Sequence, residues 1–65
     1  MFRLFFLTSN SSTELIFSNN ELAPCIDYIK ANRIYPQRCI IITPNNRRVT
    51  FNSKNEMVFG EFKAA

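Results

Sequence analysis

In FRLFFLT, residues 2–8, nearly every position is apolar, and one charge decides how the strand lies. Burying Arg3 without a partner is costly, so Phe2, Leu4 and Phe6 turn inward, leaving Arg3, Phe5 and Leu7 on the opposite face. TELIFS (13–18) alternates apolar with polar, and the polar cluster SNSS (9–12) separates the two runs. The pair reads as a β-hairpin.

The pattern then changes period. In NNELAPCIDYIKAN (19–32), Leu22, Cys25, Ile26 and Ile29 recur at the i, i+3, i+4, i+7 spacing of one helical stripe. Asn20 is the expected N-cap, with Glu21 in the first turn, where a carboxylate suits the helix dipole. Pro24 holds the start close by, because a proline further in would remove an internal hydrogen bond. Asn32 is expected to end the helix in the left-handed region, with Ile34 folding back on the last turn.

RCIIIT (38–43), RVTFN (48–52) and MVFGEF (57–62) read as three further strands. Pro44 cannot supply the N–H that a two-residue turn at Asn45-Asn46 needs, which favours a four-residue loop, Pro44 to Arg47. That loop sets Thr43 opposite Arg48, Ile42 opposite Val49 and Ile40 opposite Phe51, with Ile40, Ile42, Val49 and Phe51 on the core face. The simplest register for the last strand sets Phe51 against Val58, Val49 against Gly60 and Arg48 against Glu61. The whole chain, residues 1–65, is then a single small α+β domain of order ββαβββ, an antiparallel sheet with one helix on one face.

Composition sharpens this picture. At 65 residues a single core is marginal, yet apolar residues make up 46% of the chain and seven are Phe. One short helix cannot use that much apolar surface. The face turned from the helix is expected to show Phe5, Leu7, Cys39, Ile41, Met57 and Phe59 around Thr50. Such a face would rival the ~300–600 Å² of the largest patch usual on a monomer. Cys25 belongs to the helix stripe and Cys39 to the far face, so a bridge between them would have to cross the sheet, and both thiols are expected to be reduced.

The candidate chemistry is sparse. Histidine is absent and the only glycine is Gly60, which removes the commonest general base and metal ligand and any glycine-rich phosphate loop. The five acids, Glu14, Glu21, Asp27, Glu56 and Glu61, fall at expected surface or turn positions with no acid/base spacing. The reading is therefore not an enzyme, with no cofactor and no metal. Leu4 to Leu7 is about half the length of a signal-peptide core, and nothing approaches the ~20 apolar residues of a membrane span. A cytoplasmic chain without a membrane partner is expected. Eight asparagines and frequent isoleucine fit AT-rich coding, as in phages and mobile elements.

Charge is distributed unevenly. Residues 28–55 hold six cations and no acid, whereas the remainder holds two cations and all five acids. Lys30 and Arg33 suit a helix C-terminus, Arg38 and Lys54 flank strands, and Arg48 has an expected partner in Glu61. Arg47, at a loop tip, is the cation without a local role. Two functions follow as expectations. The first is a non-enzymatic binding module, homodimeric, that regulates or inhibits a protein partner by stoichiometric docking; Phe5, Leu7, Ile41 and Phe59 are its anchors and Arg47 its rim contact. The alternative is a basic nucleic-acid-binding protein using Lys30, Arg33, Arg38, Arg47 and Lys54, with Tyr35 stacking on bases.

Overall fold

A computed structural model describes residues 1–61, so Phe62 of the expected last strand lies outside the described residues. The strands are β1 (Phe2–Leu7), β2 (Thr13–Asn19), β3 (Cys39–Ile42), β4 (Arg47–Phe51) and β5 (Met57–Glu61), and the helix α1 is Leu22–Ala31. They form one five-stranded antiparallel sheet of order β2-β1-β3-β4-β5, with α1 against one face. This is the expected α+β fold in the order ββαβββ. The chain's first strand is thus the second in the sheet, joined to β2 by a local hairpin and to β3 by pairing across the helical connection.

All three hairpins close in the same way, and no glycine takes part. The N–H groups of Thr8, Thr43 and Asn52 donate to the carbonyls of Ser12, Arg47 and Glu56 at 2.8, 2.9 and 3.0 Å. Within each loop the N–H of Ser11, Asn46 or Asn55 donates back to the carbonyl three residues earlier. These same three residues have φ of 62°, 60° and 62°. This is the three-residue connection in which a tight turn ends on one left-handed residue. The residue opening each loop also closes it with a side chain. Thr43 Oγ1 accepts the Arg47 N–H at 2.9 Å, and Asn52 Oδ1 accepts the N–H groups of Lys54 and Glu56 at 2.9 and 3.0 Å.

Those loop lengths overturn the expected register. A four-residue connection between β3 and β4 pairs Ile42 with Val49; the observed three-residue one pairs Ile41 with Val49 and Ile42 with Arg48. Because strand side chains alternate, a one-residue slip exchanges the two faces of β3. Ile41 and Cys39 are therefore in the core at 0% and 1% exposure, and Ile40 and Ile42 turn away from it. The same correction applies to β5, where Phe51 pairs with Met57, Val49 with Phe59 and Arg48 with Gly60. Arg47, not Arg48, stands opposite Glu61 in the ladder.

The core comprises Leu4, Cys25, Ile29, Cys39, Ile41 and Val49, packed about by Phe2, Phe6, Phe17, Ile26 and Phe51. The inward turn of Phe2, Leu4 and Phe6 is as expected from Arg3. A bulge between Leu4 and Phe5 in the β1–β2 ladder leaves Ile16 without an opposite residue and lets it pack beside Phe17 against the core. Phe17 then stacks on Tyr28 of α1, ring centroids 4.6 Å apart.

The helix begins one residue later than expected. Glu21 is the N-cap and makes no capping bond with its own side chain; the Asn19 side chain accepts the Glu21 N–H at 3.0 Å instead. At the other end Asn32 has φ −99°, and the left-handed residue is Arg33 at φ 53°. Arg33 N–H donates to Lys30 and Ile34 N–H to Ile29, at 3.3 and 3.1 Å, the paired bonds of a Schellman end. Ile34 folds back onto the core, as the pattern indicated.

Candidate functional site

The open face of the sheet can be assembled from the register. Arg3 pairs with Ile42, Ile42 with Arg48, and Arg48 with Gly60, so these four residues form one row across four strands. Two residues along, about 7 Å away at ~3.4 Å per residue, Leu15 pairs with Phe5 and Phe5 with Ile40, and Thr50 with Val58 continues the line. An apolar row and a row with arginine on both sides of Ile42 thus lie side by side. Arg3, Phe5, Thr13, Ile40, Ile42 and Asn46 line a shallow depression of about 280 Å³ there.

Among the described residues no second layer covers this face, and exposure follows. Leu15 is 52% and Val58 47% exposed, Phe5, Leu7, Ile40 and Ile42 are half-buried, and Arg3 and Arg48 are exposed. The Arg48 guanidinium lies over β5, where a Cβ added at Gly60 would meet it at 3.8 Å. The acids with described side chains lie elsewhere. Glu14 pairs with Phe6, so alternation puts it on the helix side; Glu21 and Asp27 belong to the helical segment, and Glu56 to the turn before β5.

The residues expected to anchor a partner do not share a surface. Phe5 and Leu7 lie on the open face. Ile41 is fully buried under the helix because the register is shifted, so it offers no anchor, and Cys39 and Met57 leave the expected far face for the same reason. Phe59 is 58% exposed, but its pairing with Val49 puts it on the helix side of the sheet, on an edge strand that α1 leaves open. Arg47 is exposed at the start of β4 and alternates away from Arg48. Sequence reasoning placed Arg3 on this face without counting it, Arg48 or Leu15 as contacts, and it turned Ile40, Ile42 and Val58 inward. For Ile40 and Ile42 the signal was Pro44-Asn45-Asn46, since proline suits the start of a tight turn and asparagine tolerates the left-handed position that makes a loop odd in length.

The alternative cationic set is divided as well. Lys30 is exposed in the last turn of α1 and lines a groove of about 410 Å³ with Ile26, Phe51, Glu56 and Met57. Arg33 and Lys54 are exposed, and Tyr35 is 74% exposed. Gln37, in the 3₁₀ turn Pro36–Arg38, donates to the Asn52 carbonyl at 2.8 Å and to Asn55 Oδ1 at 2.6 Å, which ties this end to the β4–β5 loop that carries Lys54. Arg47 lies at the opposite end of β4. Arg38 is already engaged, its Nε donating to the Leu7 carbonyl at 3.1 Å and its guanidinium 5.7 Å from the Phe6 ring.

Both cysteines are free and buried, and burial raises the pKa of each thiol. Cys25 contacts the Glu21 carbonyl at 3.7 Å and Cys39 the Tyr35 carbonyl at 3.5 Å. Protonated and enclosed, they are poor nucleophiles. Among the described residues no group of three or more His, Cys, Asp or Glu side chains could hold a metal ion, and no helix is long and apolar enough to cross a membrane. No family model matches the chain, and no curated protein or solved structure matches it either.

Proposed function

We propose that the protein is a non-enzymatic binding module that acts by stoichiometric docking of a protein partner on the open face of its sheet. The observation that carries this reading is the row Leu15–Phe5–Ile40 with Ile42 beside it, apolar across three adjacent strands with no second layer over it among the described residues. Scattered apolar side chains are normal on any surface, whereas a contiguous set marks an interaction site. Regulation or inhibition by occupancy needs no reactive group, in keeping with a chain that has no histidine and two enclosed thiols. Affinity capture from nuclease-treated lysate of the source cells tests the reading. Wild-type protein is expected to retain one protein partner and Leu15→Glu to lose it; a partner held equally by both variants would move the site elsewhere.

A nucleic-acid reading is supported by a different observation, the exposed Tyr35 among Lys30, Arg33 and Lys54 at the far end of α1. It calls for binding that weakens steeply with salt. A low-salt mobility shift with single-stranded DNA, lost in Tyr35→Ala, would favour it; no shift in the wild type would end it.

A further inference from the structure

The open face has a chemistry as well as a shape. Arg3 and Arg48 are its described charges, both exposed, and they stand on either side of Ile42 in one row. We infer that the face takes an acidic protein surface, one that offers carboxylates to Arg3 and Arg48 and apolar side chains to the Leu15–Phe5–Ile40 row. This rests on the docking reading above and specifies its partner.

Three occupants compete, and the observations separate them. A second copy docked face to face would bring two pairs of guanidinium groups onto surfaces where no described carboxylate can answer them. Like charges placed opposite one another in an interface oppose association and select against that partner. Among the described residues, a nucleic acid would find two cations and one half-buried aromatic ring, Phe5, between branched aliphatic side chains. Backbone-tracking sites instead use many cations with exposed rings on which bases stack. An acidic and apolar protein surface satisfies both rows at once. Arginine binds a carboxylate through two parallel hydrogen bonds, and the apolar row excludes water from them.

The test pans a phage-displayed library of random 12-residue peptides on the immobilised chain, discarding phage that also bind the Arg3→Glu/Arg48→Glu variant. Both substituted side chains are exposed, so the variant is expected to fold, which circular dichroism and thermal melting check. The selected peptides are expected to combine Asp or Glu with Leu, Ile or Phe. As synthetic peptides they should bind the double variant roughly 30-fold or more weakly, and keep more affinity for Arg3→Lys/Arg48→Lys. Selected peptides without carboxylate enrichment would overturn the inference and leave the docking reading intact. Recovery of no peptide specific to the wild type would overturn both. Tighter binding of a 20-nucleotide single strand than of any selected peptide, lost in the same double variant, would assign the face to nucleic acid.

Discussion

Three left-handed residues close the hairpins, and none is glycine. A serine in that conformation costs roughly 1–2 kcal/mol that glycine would not incur, whereas asparagine tolerates it better. Ser11→Gly is therefore expected to stabilise the chain by roughly 0.5–1 kcal/mol in a urea titration. Asn55→Ala should cost roughly 1–2 kcal/mol, since it loses both the tolerated φ of 62° and the bond from Gln37. The thiols add a pH dependence. Burial raises the pKa of Cys25 and Cys39 above the ordinary 9.0, so the folded state keeps protons that the unfolded state releases. Stability is then complete below about that value and falls as pH rises above it, by the linkage between bound protons and folding. Denaturant midpoints measured from pH 7 to 10.5 should decline at the alkaline end, and less so in Cys39→Ala once its lower baseline is taken into account.

At the scale of elements, much was legible because one residue broke each tie. Arg3 fixed the faces of β1, and the spacing from Leu22 to Ile29 fixed the inner stripe of α1. In β3 nothing broke the tie. The run Ile40-Ile41-Ile42 is apolar at both parities, so burial could not choose between faces, and the decision passed to the length of a loop. An even loop and an odd one differ by one residue and exchange the entire face, which is why the fold could be read while half of the candidate site could not. The register is open to a direct check. Ile41→Ala should cost about 2–5 kcal/mol, as for a fully buried aliphatic side chain, and Ile42→Ala about 1 kcal/mol or less. The reverse order of costs would restore the even register. The two sheet edges differ too. β2 carries a bulge, Glu14 and Ser18, which discourage pairing, while β5 exposes Met57, Val58 and Phe59 along a regular edge. Wild-type protein is expected to self-associate as its concentration rises and Phe59→Lys to stay monomeric in sedimentation velocity. A wild-type monomer at every concentration would count against an open β5 edge.

For the molecule as a whole, the sequence already held more apolar material than one helix could cover, and that inference survives the change of register. What changed is the identity of the uncovered residues. Charge separates along the same division, with Arg3 and Arg48 on the bare side and Glu14, Glu21, Asp27 and Glu56 away from it. The net charge of +3 understates this asymmetry. An approaching acidic partner would be oriented by it before contact, an effect that weakens with ionic strength. The association rate, more than the dissociation rate, should therefore fall between 50 and 300 mM salt, which stopped-flow mixing with a selected acidic peptide would measure.

The placement of β1 has a consequence for how the chain assembles. Within the sheet, one local hairpin, β1–β2, and one local meander, β3–β4–β5, join along the β1–β3 seam, which the Arg38 bond to the Leu7 carbonyl crosses, and α1 packs on residues from both. Such a molecule is two halves zipped together, and closing that seam is the slow, long-range event of folding. A chain severed in the 32–35 connection should then reconstitute from its two fragments on mixing, at a rate that rises with their concentration.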